Sequence, residues 1–206
     1  MKKTIIAILG LVLLSGCTGV NLSSNTPPAT YYLLHAEPVV QKTPALVPII
    51  LEEPRMVAGL DTDRIALTKQ DGRILDYYAT AHWAAPLPRV LNDIFVESFS
   101  TRYNIVPRRA RSLEANAGEY RVMITVRDFQ AEYPNGTDNL PGVHIAFNVT
   151  LIDQKTGKTA DEFVVRNKKA VAQNTLTAVT DAMEVALQES VSDMLNRLQT
   201  RTHKAR

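Results

Sequence analysis

An α+β domain, with a mainly antiparallel sheet and two amphipathic helices packed on one face, is what this 206-residue sequence predicts. Three patterns carry that prediction. From Val143 to Asp153 apolar residues alternate with polar or small ones, the period of a strand with one dry and one wet side. Two stretches, opening at Pro86 and at Thr175, repeat apolar residues every three or four positions, as a helix with one buried face must. Gln70-Asp71-Gly72 stands between two strand-like runs, and Asp-Gly in that place is a hairpin signal.

The chain begins with a segment to be set apart from the fold. Lys2 and Lys3 precede an apolar run from Ile5 to Leu14. That run is too short to span a bilayer, which takes about 20 apolar residues, and it reads as the core of an export signal over residues 1–16. Leu14-Ser15-Gly16-Cys17 resembles a bacterial lipobox. The resemblance implies that the Cys17 thiol takes a diacylglycerol, that the signal is cut before it, and that the new amino terminus is acylated, for example with palmitate. The competing reading is ordinary cleavage a few residues later, after Gly19, with Cys17 incidental; the order of cations, apolar core, small residues and cysteine favours the lipobox.

Loss of residues 1–16 would remove Lys2 and Lys3 and no acid, so the formal charge of +2 belongs to the signal. The balance that remains gives no argument for nucleic acid or another polyanionic partner. Cys17 is the one cysteine, so an exported domain would rest on its own core without a disulfide. Residues 17–30 are polar and rich in Ser, Asn and Pro, and read as a lipidated flexible tether. Fully extended, each of its residues reaches at most about 3.3–3.6 Å.

The domain is expected over residues 31–200, followed by a basic tail, 201–206. Tyr31 to Leu34 reads as a first short strand, and the apolar run from Val47 as a second, with Pro38, Pro44 and Pro48 between them. Arg64 to Thr68 and Arg73 to Thr80 flank the Asp-Gly turn. Pro86-Leu87-Pro88 opens a helix, since proline is tolerated in a first turn. Its apolar face holds Leu87, Val90, Leu91, Ile94, Phe95 and Phe99. Glu119 to Tyr133, Val143 to Asp153 and a strand around Glu162 to Val165 are predicted as a meander. The closing helix, about Thr175 to Thr200, buries Val179, Met183, Ala186, Leu187, Val191, Met194, Leu195 and Leu198.

Residues able to carry chemistry are scattered. His35, His82, His144 and His203 have no carboxylate or cysteine at metal-ligand spacing. Asp61 and Asp63 could hold a cation, though two acids before a strand are usually turn-forming. Gly157-Lys158-Thr159 resembles the end of a phosphate loop, but Ile152 stands where that loop needs glycine, so the stretch reads as a hairpin turn. No nucleophile elbow or ordered triad occurs. The reading is therefore no enzyme, no cofactor and no metal. The basic cluster Pro107-Arg108-Arg109-Ala110-Arg111 is either a solvated loop or a contact for anionic headgroups or an acidic partner. Trp83 joins a strand to a helix, either as a plug in the core or as an exposed interface aromatic.

The lipobox, the YYLL strand and the stretch LDTDRIALTKQDGRILDYYATAHWAAPLPRVLNDIF together resemble the ABC-type transport auxiliary lipoproteins, the PqiC-like family. The resemblance covers Tyr31 to about Leu198. Its signature falls on Tyr77, Tyr78, Trp83, Ala84, Pro86 and Leu87. It implies a fold similar to the amino-terminal domain of TolB. It also implies a non-catalytic envelope component that works with an inner-membrane ABC permease and ATPase and with an MCE-domain protein to move lipids between membranes. Thr18 rather than aspartate after Cys17 implies sorting to the outer membrane, at its periplasmic face. Gly72, Tyr77, Tyr78 and Trp83 are the candidate docking residues, because an exposed strand edge recruits partners by strand addition. A homo-oligomeric ring would suit a partner with a central channel. The alternative function is a structural or regulatory outer-membrane lipoprotein, a cell-wall synthase activator or assembly factor.

Overall fold

In the computed structural model, residues 27–35, 47–106 and 119–204 are described. The signal, Cys17 and the tether up to Thr26 lie outside them, as does the basic cluster at 107–111.

The long central ladder decides the architecture. Strands β7 (Tyr120–Tyr133), β8 (Gly142–Asp153) and β9 (Thr159–Ala170) form an antiparallel meander. In β8 the alternation read from the sequence holds: Val143, Ile145, Phe147, Val149 and Leu151 are all buried. The turn into β9 is the expected hairpin. There the Asp153 carboxylate accepts the backbone N–H groups of Lys155 and Thr156, both at 2.8 Å.

β7 carries a feature the sequence pattern hides. Its register with β8 shifts between Val126 and Asp128, leaving Arg127 as an extra residue. Before this bulge Tyr120, Val122, Ile124 and Val126 are buried; after it the phase moves by one, to Phe129, Ala131 and Tyr133. An unbroken period of two would have carried Asp128, Gln130 and Glu132 into the core instead.

On its other edge β7 meets three short strands laid end to end and all parallel to it: β2 (Pro48–Leu51), β3 (Arg55–Met56) and β4 (Arg64–Lys69). The apolar run from Val47 is thus two strands. Pro54, which has no N–H to give a ladder, stands between them. β6 (Asn104–Ile105) adds to β2, and β5 (Ile74–Trp83) pairs antiparallel with β4. β1 (Thr30–Tyr32) closes that side, parallel to the last residues of β5. Among the described residues the sheet has nine strands; its long ladders are antiparallel and its short ones parallel.

Both helices lie on the face to which Phe147 points. α1 (Leu87–Ser100) brings Phe95 edge-on to Phe147, 5.6 Å between centroids. α2 (Leu176–Lys204) lies along β8 and β9. It is fixed on β9 by Glu189, which accepts hydrogen bonds from Lys169 (2.6 Å) and Asn167 (2.8 Å), and by Arg201 on Asp161 (2.8 Å). These β9 residues share the face of Phe147 through its partner Val165. Every residue predicted for the buried stripe of α2, from Val179 to Leu198, is buried.

Candidate functional site

The four candidate docking residues stand on the hairpin of β4 and β5 and on β5 itself, and the structure separates them. Gly72 is in the turn with φ +82°, preceded by Gln70 and Asp71, also at positive φ. Next to it Lys69 and Asp76 pair across the strands at 2.7 Å, and the backbone N–H of Tyr77 donates to the same carboxylate at 2.8 Å. The Lys69 hydrogen bond, then that N–H, hold the Asp76 carboxyl below the usual carboxylate range.

Tyr77 and Tyr78 are adjacent in a strand, so they leave the sheet on opposite faces. Tyr77 points away from the helices. Its hydroxyl donates to the Gly59 carbonyl at 2.8 Å, and the Arg64 guanidinium lies 3.9 Å from its ring centre. Gly59 has φ +91°, and a Cβ there would run into the Leu75 Cδ2 methyl. The turn at residues 58–59 is therefore folded down on Tyr77 and Leu75.

Tyr78 points to the helix side, where its hydroxyl meets that of Tyr133 at 2.9 Å. Tyr133 donates onward to the Asn174 side-chain oxygen (3.0 Å), and the Asn174 amide donates to the Thr137 carbonyl (2.7 Å). Burial, then the Tyr133 hydroxyl, push the Tyr78 phenol far above its ordinary range, so it stays protonated. Tyr133 also lines a polar cavity of about 180 Å³ with Asp71, Gly72, Glu132 and Lys168. Gly72 and Tyr78 thus converge on Tyr133, whereas Tyr77 does not. Behind the cavity Glu132 accepts from Lys168 (3.0 Å) and contacts His144 Nδ1 (2.9 Å). Burial raises the Glu132 carboxyl, but Lys168 and His144 outweigh it and leave the group below the usual range.

Trp83 is the plug rather than the exposed aromatic. It is 1 % exposed, its ring edge-on to Phe129 at 6.1 Å, and its backbone N–H donates to the Asp63 carbonyl at 2.6 Å. Asp63 also faces His82 Nδ1 at 3.3 Å. Histidine and acid partners that sequence spacing could not reveal therefore occur at His82, at His144 and at His35, which faces Glu184 at 3.4 Å. Among the described residues no group of three or more such side chains could hold a metal ion.

What remains open is the outer edge of β5. Among the described strands only β1 pairs there, opposite Ala81 to Trp83, so Ile74 to Thr80 have no strand on that side. The parallel register, Thr30 opposite Ala81, would lay residues 28 and 27 opposite 79 and 78. Those residues are Pro28 and Pro27, which have no N–H for a ladder and are exposed outside the strand. Ile74 and Leu75, each 42 % exposed, mark the uncovered stretch.

The chain matches the family model of the ABC-type transport auxiliary lipoprotein component over residues 31–194. It belongs to that family. This chain is therefore an auxiliary lipoprotein of ABC-type transport. Solved structures similar to it include a Xanthomonas campestris protein of the DUF330 family, with a TM-score of 0.72, 20 % identity, and coverage of 85 % of this chain and 98 % of that one. An uncharacterized protein matches with a TM-score of 0.62 at 13 % identity, over 84 % and 99 % of the two chains. A hypothetical protein of Chlamydia trachomatis matches with a TM-score of 0.52 at 6 % identity, over 75 % and 96 %. At these identities the likeness is one of fold. No curated protein sequence matches.

Gly59, Arg64, Tyr133 and Asn174 form the surroundings of the two tyrosines and were not singled out from the sequence. For Gly59 a signal existed, Ala-Gly-Leu between two apolar runs. The tyrosine chain, in contrast, joins residues far apart in sequence.

Proposed function

We propose that this auxiliary lipoprotein is non-catalytic and works at the periplasmic face of the outer membrane. It is held there by acyl chains on Cys17, and it receives an MCE-domain protein that brings lipid from an inner-membrane ABC permease and ATPase. Two or more acyl chains make such an anchor stable where one would be marginal.

The observation that carries the docking part is the side of β5 at Ile74 to Thr80, which no described strand pairs, where Pro27-Pro28 cannot extend β1 and the Gly72 hairpin borders the edge. An extended partner segment added there would pair with the N–H and C=O groups of that edge, which no described strand takes up. Tyr77 and Tyr78 stiffen this edge from its two faces, and Trp83 ties its far end into the core. Their part in docking is to hold the edge straight, since Trp83 has no surface to offer.

The test is photo-crosslinking in intact envelopes. A crosslinking residue at position 75 is expected to capture the MCE-domain protein, while one at exposed Glu162 on β9 captures none. Capture from position 162 alone would place the docking surface at the opposite edge and refute the proposal.

A further inference from the structure

Tyr31 and Leu33 are the most exposed large apolar side chains among the described residues, at 65 % and 64 %. They stand two apart on extended chain, so they leave it on one side, while Tyr32 packs against the core and Leu34 is buried. A strand on the rim of a sheet normally turns polar residues outward. YYLL turns none outward. The segment is also held firmly: the Tyr31 ring lies 5.7 Å from that of His82, the Tyr32 carbonyl accepts the Ala84 N–H at 2.9 Å, and the His35 N–H donates to Glu184 at 3.0 Å.

We propose that Tyr31 on β1 and Leu33 just after it rest together on the surface of the lipid bilayer; this rests on the reading of Cys17 as the lipidated residue. The length of chain between the two points names the occupant. Residues 18–29 separate Cys17 from β1, and at full extension each reaches at most about 3.3–3.6 Å, so β1 lies within about 45 Å of the lipidated residue. A bilayer reached through so short a link is present at high effective concentration. The chemistry agrees: tyrosine, with an apolar ring and a polar tip, is a side chain of membrane interfaces, and leucine enters the acyl boundary. The ionisable groups around the patch are Asp63 with His82, His35 with Glu184, and Arg64, which pairs with His82 across β4 and β5 and lies over the Tyr77 ring. What Tyr31 and Leu33 themselves offer is apolar, so the contact is tested first on a zwitterionic bilayer. It would lay the β1 rim against the membrane and leave the β5 edge beside it, where a partner reaching the membrane arrives.

The experiment uses the full-length lipidated protein in phosphatidylcholine vesicles with brominated acyl chains. Tyr31→Trp adds a second indole to that of Trp83, which is buried and serves as the unquenched reference. The added fluorescence is expected to shift to the blue and to be mostly quenched by bromine. Leu140→Trp, at an exposed site in the loop between β7 and β8, is expected to stay unquenched. Leu33→Trp gives the same reading without touching the ring pair of Tyr31 and His82. If the added indole is quenched in neither Tyr31→Trp nor Leu33→Trp although both variants pellet with the vesicles, the bilayer contact is refuted and the anchor stands. Cys17→Ala separates the two readings: loss of pelleting upholds the anchor, and retained pelleting overturns it.

Discussion

The β7–β8–β9 meander and the rim formed by β4, β5 and β1 belong to one sheet and are held together by different means. The meander has twelve-residue or longer strands, two long antiparallel ladders, and a face sealed by both helices. The rim is joined to β7 by only three residues of β4, is irregular where β5 pairs with Arg64 and Ala66, and ends in a three-residue strand. It also leaves Tyr31, Leu33, Ile74 and Leu75 exposed on the protein's own surface. Stability lives in the first region, and the exposed apolar and backbone groups that a partner can use live in the second. Burial of the meander offsets the cost of leaving the rim unfinished.

That contrast can be broken by moving a residue across it. Deleting Asn148 from the unbroken period of β8 turns either Val143, Ile145 and Phe147 or Val149 and Leu151 out of the core, or makes the register with β7 and β9 slip. The expected loss is about 5 kcal/mol or more, enough to unfold a domain of ordinary stability, and soluble yield with circular dichroism reads it. Trp83 is the place where the rim depends on the core. Trp83→Ala is expected to cost about 3–5 kcal/mol in urea unfolding, as a large buried aromatic does.

Smaller changes sharpen the comparison within the rim. Gly59→Ala and Gly72→Ala both force an alanine into positive φ, worth about 1–2 kcal/mol. At Gly72 a Cβ meets nothing within 4 Å, whereas at Gly59 it displaces Leu75, so Gly59→Ala is expected to be the more destabilising in urea unfolding. The smallest effect is one of pH. The Glu132 carboxyl is held low in the folded protein by Lys168 and His144, so its contribution is present above the ordinary carboxylate value. It is lost as pH falls through the depressed folded value. Urea midpoints measured across the acid range should fall less steeply in Glu132→Gln than in the wild type.

Much of the meander side was legible in the sequence because its signals are local. β8 shows its period of two, α1 starts where Pro86 and Pro88 allow, and the buried stripe of α2 is the predicted one. The rim was less legible because it is assembled by non-local pairing. Nothing in residues 47–69 announces that β2, β3 and β4 lie in one line along β7. β5 reaches Trp83 rather than stopping at Thr80, since β1 returns to pair with its end. The bulge at Arg127 is masked because Val126 and Phe129 both look like strand interior. The tyrosine pair was visible, yet its division between two faces follows from strand geometry alone: Tyr77 belongs to Gly59, and Tyr78 to Tyr133.

Hydrogen exchange on the full-length protein, alone and with the MCE-domain protein, tests the open edge most directly. The outward amides of Ile74 to Thr80 should exchange rapidly in the free protein and become protected in the complex, while Val143 to Leu151 remain protected in both. Protection that appears on β9 or α2, with 74–80 unchanged, would contradict docking at the β5 edge.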